Sequence, residues 1–135
     1  MNRDSNGYTF LFAASMVLVV ASTLAFTASS LKSLQEENVR KEKMQNILST
    51  IGIQTDRDQA ERIYKNHITG TFALDHLGNN DETVDAFQLK LNSEIKKPVK
   101  EQRFPLYKAV VDNISYYIIP LRGSGLWDAI WGYIA

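Results

Sequence analysis

The chain has 135 residues, its 15 basic side chains balance 15 acidic ones, and it contains no cysteine. Zero net charge leaves no basic footprint for nucleic acid, and the missing thiols exclude disulfides, thiolate metal sites, thiolate-held iron–sulfur clusters and a lipoprotein anchor. Beside any membrane segment, one small folded domain is the most this length allows.

A membrane segment comes first. Ser5 to Leu31 runs for 27 positions without Asp, Glu, Lys, Arg or His, and Phe10 to Ala28 within it is almost wholly apolar or small. At roughly 1.5 Å per residue that inner run makes a helix of about 28 Å, close to the hydrocarbon thickness of a bilayer. Ser15, Ser22, Thr23 and Thr27 are compatible with this, because a hydroxyl in a helix bonds back to a carbonyl one turn earlier. The competing reading is a cleaved secretory signal, with Arg3 as its basic start and Ala25 to Ser30 as its exit. The run is longer than the apolar core of about 7 to 15 residues in such signals, and Phe26 stands where cleavage needs a small residue. Lys32, Arg40, Lys41 and Lys43 outnumber Arg3 and the terminal amine, which by itself puts the following domain in the cytoplasm; Glu36, Glu37 and Glu42 dilute that vote.

The expected organisation is a tail at 1–7, a transmembrane helix at 8–31, a stalk helix at 32–52 and an α+β domain from 53 to 135. In the stalk, Glu36 with Arg40 and Glu37 with Lys41 are acidic-then-basic pairs four apart, and Leu31, Leu34, Met44, Ile47 and Leu48 supply an apolar side. Gly52 offers a left-handed stop. Thr55 and Asp58 open a second helix that carries Ala60, Ile63 and Tyr64 inward and ends near Asn66. Ile68 to Asp75 alternates as a strand and closes in the turn run Gly78 to Asp81. Phe87, Leu89 and Leu91 alternate as a second strand, and Pro98 marks a loop. Leu106 to Val111 and Ile114 to Leu121 flank Asp112-Asn113, the best hairpin signal in the chain, with Asn113 suited to positive φ. Leu126 to Ala135 gathers Leu126, Trp127, Ile130, Trp131, Tyr133 and Ile134 and reads as a buried helix reached through Gly123-Ser124-Gly125. So few short elements offer that helix little to bury against, so the chain is expected to be the N-terminal portion of a larger domain.

Chemistry is sparse. His67 and His76 are nine apart, which is no metal spacing, and no Ser, His and acid grouping announces a nucleophile. Gly123 and Gly125 lack the third glycine of a dinucleotide loop and are read as structural, letting the backbone turn tightly. Trp127, Trp131 and Tyr133 are read as core, with stacking on an aromatic cofactor as the alternative. The residues by themselves point to no catalytic, cofactor-binding or metal-binding side chain, and leave open a membrane-tethered adaptor or sensor domain.

A resemblance goes further. The apolar N-terminal helix, Leu34-Gln35-Glu36-Glu37-Asn38, Lys43-Met44-Gln45-Asn46-Ile47-Leu48 before Gly52, Asp85-Ala86-Phe87, and above all Tyr117-Ile118-Ile119-Pro120-Leu121 running into Gly123-Ser124-Gly125-Leu126-Trp127 and Gly132-Tyr133 resemble the C subunit of the bacterial Na+-translocating NADH:quinone reductase. The G subunit of the Rnf-type electron-transport complex is a more distant likeness. The resemblance implies an α+β fold of the FMN-binding type on one membrane helix, an extracytoplasmic domain at the inner membrane, other subunits and lipid as partners, and electron transfer from NADH to quinone coupled to sodium export. It also implies covalent FMN, joined by a phosphoester to a threonine in Ser-Gly-Ala-Thr. That motif does not occur in this chain, so no residue here is expected to attach the flavin.

Overall fold

The computed structural model describes residues 6–135, and Arg3 with the first part of the expected tail lies outside them. The elements run α1 (Asn6–Thr50), α2 (Arg57–His67), β1 (Ile68–Leu74), α3 (Leu91–Glu94), a 3₁₀ turn (Val99–Glu101), β2 (Phe104–Val111), β3 (Ile114–Ser124) and β4 (Ala129–Ile134). This is an α+β fold whose chain divides into two units at Val39/Arg40.

In the first unit, α1 is long and apolar enough to cross a membrane. Its hydroxyls bond back as expected: Ser15 to the Leu11 carbonyl, Thr23 to Val19, Thr27 to Thr23 and Ser30 to Phe26, at 2.8 to 2.9 Å. Each of these polar side chains is thus satisfied within its own helix, the condition for tolerating it in hydrocarbon.

The second unit opens with the end of α1, whose Met44, Ile47 and Leu48 are buried. The spacing of three and four puts them on one helix face. Gly52, at φ +82°, ends the helix in the left-handed conformation anticipated for it. Gln45 donates to the Thr55 carbonyl at 2.7 Å and ties α1 to the start of α2. Arg40 does not keep to Glu36: it reaches Glu61 on α2 at 2.6 Å. Glu61 also takes Lys65 at 2.9 Å, and its carboxyl is held below the ordinary value by the hydrogen bonds from Lys65 and Arg40.

The sheet is a four-stranded antiparallel meander in the order β1-β2-β3-β4. Between β2 and β3, Asp112 and Asn113 both take positive φ, +49° and +63°, the backbone of a two-residue type I′ hairpin. One sheet face carries Tyr107, Ala109 and Ile118 onto α1 and α2, where Ile47, Leu48, Ala60, Tyr107, Ala109 and Ile118 are sealed from solvent.

Two expectations are overturned. Phe87 to Leu91 is not a strand: the Asp85 carboxylate accepts the Phe87 N–H at 2.9 Å and Gln88 N–H donates to the Asp85 carbonyl. The resulting turn draws the backbone away from any ladder. Leu126 to Ala135 is not a buried helix either. Its greater part is β4, paired with β3 from Ile119↔Ile134 to Ser124↔Ala129, while Leu126 and Trp127 stand 92% and 95% exposed. A short run that is apolar at nearly every position satisfies helical and extended periods alike, and pairing with β3 decides between them.

Candidate functional site

Two places in the second unit gather chemistry. The first is built where the end of α1 meets the 85–88 turn. There Lys43 donates to the Phe87 carbonyl, with its Nζ 4.6 Å from the Phe87 ring centroid and 5.9 Å from that of Tyr107. Desolvation lowers the pKa of this ammonium, and the Asp85 carboxylate counters it in part. Around it the rings form a ladder: Tyr64 to Phe87 at 5.7 Å, Phe87 to Tyr107 at 6.5 Å and Tyr107 to Tyr133 at 6.5 Å between centroids, all edge to face. That is the geometry in which aromatic quadrupoles attract, and a cation over ring faces adds to it.

Burial raises all three phenols, Tyr133 to about 12 and Tyr64 and Tyr107 further. They stay neutral at physiological pH. Tyr107 Oη lies 3.5 Å from the Ala86 carbonyl; Tyr64 Oη is buried without a hydrogen-bond partner among the described residues. The ladder can hold a cation and carry packing, and its members make no nucleophile–base pair.

A charged clamp lies just before β2. Glu94, 4% exposed, takes Lys97 at 2.7 Å and the Arg103 N–H at 3.0 Å, while Arg103 Nε donates to Asp81 at 2.8 Å. Burial pushes the Glu94 carboxyl up, but the Lys97 and Arg103 contacts together leave it below its ordinary value. Nothing in the sequence singled out Lys43, Asp85 or this clamp. The signals that touched this site were Lys43-Met44-Gln45-Asn46-Ile47-Leu48 and Asp85-Ala86-Phe87, and both entered as a site only through the resemblance.

The second place is the β3–β4 turn. Gly125 N–H donates to the Asp128 carbonyl at 2.9 Å, and a Cβ on Gly125 would collide with that carbonyl oxygen and lie 2.9 Å from Ile130 Cγ1. Its missing side chain is accounted for by turn closure. Gly123 faces open space, and Trp127 projects into solvent beyond it. The turn brings Gly123 and Gly125 together and leaves Trp127 outside the core. His67 Nδ1 lies 2.9 Å from the Ile63 carbonyl, His76 is exposed beyond the far end of β1, and no group of three metal-ligating side chains occurs among the described residues.

No family model matches the chain. Curated relatives do, among them C subunits of the Na(+)-translocating NADH-quinone reductase: that of Neisseria meningitidis serogroup B is 26% identical over 153 residues, that of Yersinia pestis 25% over 154, and that of Pseudomonas aeruginosa 27% over 154. Each alignment takes in 99% of this chain. The chain is similar to these C subunits along almost its whole length. The crystal structure of the Parabacteroides distasonis C subunit superposes with a TM-score of 0.69 at 33% identity, over 76% of this chain and 49% of that one. The chain spans 58% of the length of the Neisseria C subunit.

Proposed function

We propose that the chain works as a C subunit of a Na+-translocating NADH:quinone oxidoreductase, anchored in the cytoplasmic membrane by α1 with the unit Arg40–Ala135 on the extracytoplasmic side. The assembly around it passes electrons from NADH to quinone and exports sodium. The observation that carries this reading is the match of 99% of the chain to C subunits, supported by the superposition on one of them.

The chain's own physics assigns it a narrow part. From Asn6 to Leu31 α1 bears no ionisable group other than Tyr8, so it offers an ion no relay, and sodium passage belongs to other subunits. Anchoring and positioning remain. Covalent FMN does not fit the residues present. No threonine follows Ser-Gly-Ala, and the hydroxyls of Thr23, Thr27, Thr50, Thr55, Thr69 and Thr83 are turned onto neighbouring backbone or side-chain oxygens.

The test is expression of the tagged chain in a bacterium lacking its own C subunit. Co-purification with the remaining reductase subunits from detergent-solubilised membranes is expected, together with active alkaline phosphatase fused behind Ala135. A chain that purifies alone from such membranes would refute the assignment, and an inactive fusion would refute the orientation. A flavin-fluorescent band on a denaturing gel, in cells that also make the flavin-transferring enzyme, would show that attachment uses another threonine.

A further inference from the structure

We propose that the 85–88 turn and the Tyr107 ring form a binding site for a primary ammonium ion, filled from within by Lys43, and that filling it fastens the 75–103 excursion between β1 and β2 onto the end of α1. An ammonium offers three N–H donors and no acceptor. One goes to the Phe87 carbonyl, and a hydrogen bond from a charged donor is roughly twice as strong as one between neutral groups. The Phe87 and Tyr107 rings, with their centroids 4.6 and 5.9 Å from Nζ, supply the electron-rich surfaces that attract a cation. Asp85 adds the opposite charge and favours the protonated amine. The same carboxylate shapes the site. It accepts the Phe87 N–H at 2.9 Å while the Gln88 N–H closes on the Asp85 carbonyl at 3.1 Å, so the turn is formed by its own bonds and the Phe87 carbonyl is left for Lys43.

Apart from the Tyr107 ring, the groups that receive the ammonium belong to the excursion, whereas the ammonium itself belongs to α1. The charged bonds of the excursion, from Arg103 to Asp81 and from Lys97 and the Arg103 N–H to Glu94, tie its neck and its own turns and do not reach α1. Its Phe87 ring meets Tyr64 of α2 edge to face at 5.7 Å, an apolar contact. Lys43 supplies the polar tie to α1. Its neighbours Met44, Ile47 and Leu48 are sealed in the core, so the amine is presented from a fixed base, and the excursion closes on it. Withdrawing the amine therefore frees the 85–88 turn while the sheet, held by its own ladders, keeps its register. Segments held by few contacts open below the free energy of global unfolding, and this one opens through a single ammonium.

The test is NMR and amide hydrogen exchange on the full chain in detergent micelles. With isotope-labelled lysine, the Lys43 Hε protons are expected upfield of those of exposed Lys65 and Lys96, shifted by the ring currents of Phe87 and Tyr107. Lys43→Met keeps the reach of the side chain and removes its charge. The Phe87 and Gln88 amides should then exchange about tenfold faster or more, with the Tyr107 and Ala109 amides unchanged. In Lys43→Ala, n-propylammonium replaces the deleted atoms one for one and should restore slow exchange saturably. 1-Propanol, of the same length without the charge, should not, and neither should tetramethylammonium, which has the charge and no N–H. Lys43 protons that resonate with those of the exposed lysines would overturn the proposal, as would unchanged exchange in Lys43→Met. Failure of n-propylammonium to slow exchange in Lys43→Ala would do the same, and equal rescue by 1-propanol would reduce the site to apolar filling. Loss of protection at Tyr107 and Ala109 in Lys43→Met would make Lys43 a support of the whole core and refute a fastening confined to the excursion.

Discussion

Replacing Tyr64 by Phe is expected to stabilise the folded unit. Tyr64 is 8% exposed, its ring packs edge to face on Phe87 at 5.7 Å, and its hydroxyl has no partner among the described residues. In the unfolded chain that hydroxyl is hydrated. Folding strips the water and returns nothing, a loss of about 1–3 kcal/mol for an unsatisfied buried polar group. Phe keeps the ring contacts and removes the oxygen, so a gain of about 1 kcal/mol is expected, or roughly 4–8 °C in Tm for a domain of under 100 residues. Two controls bracket this. Tyr107→Phe loses only a 3.5 Å contact to the Ala86 carbonyl, at the outer limit of a hydrogen bond, and should shift stability by less than about 0.5 kcal/mol. Tyr64→Ala removes the ring and should cost about 3–5 kcal/mol. Thermal unfolding of the full chain in detergent, followed by near-ultraviolet circular dichroism, reports the aromatic packing. A fall of several degrees for Tyr64→Phe would mean that the hydroxyl is satisfied, for instance by an internal water, and would refute the reasoning.

Asp81 is held at about 2 by the Thr83 hydroxyl and then by Arg103, against about 3.9 in an unfolded chain. A depressed carboxylate stabilises above its unfolded value and loses that contribution as pH falls through the folded one. Asp81→Asn should therefore flatten the loss of stability between about pH 4 and pH 2 in acid titrations followed by circular dichroism, and an unchanged slope would remove Asp81 from the account. Gly125→Ala should break the β3–β4 turn and speed amide exchange in β4, because its Cβ meets the Asp128 carbonyl and Ile130, at a cost of about 1–3 kcal/mol; Gly123→Ala, facing open space, should leave exchange unchanged. Val19→Arg places a charge mid-span at about 2.5–3.5 kcal/mol and should reduce the fraction of chain that survives carbonate extraction of membranes, whereas Ser22→Ala should not.

What could be read from the residues divides along the range of the interactions. The hairpin at Asp112-Asn113 was legible because a type I′ turn is decided by two residues that tolerate positive φ. The stop at Gly52 and the back-bonded hydroxyls of α1 are likewise settled within one turn of chain. β4 was not legible, since Leu126 to Ile134 is apolar at both helical and extended spacings and only the register with β3 selects the strand. Lys43 looked like one more solvated stalk charge. Its place over Phe87 and Tyr107 depends on a turn 44 residues away, and that turn was itself misread as strand because the Asp85 cap is invisible to hydrophobic periodicity.

The excursion between β1 and β2 bears on how the chain tolerates change in length. Residues 75–103 leave the sheet at Leu74 and return at Phe104, which face each other across the ladder, and the Arg103–Asp81 bridge ties the neck just beyond that pair. Everything between Glu82 and Gln102 is thus a detour whose ends meet whatever its contour. Closing a longer loop adds only about 0.6 kcal/mol per doubling of length. Extra residues that left the Glu94–Lys97 contact intact would lengthen the excursion while β1 and β2 kept their register.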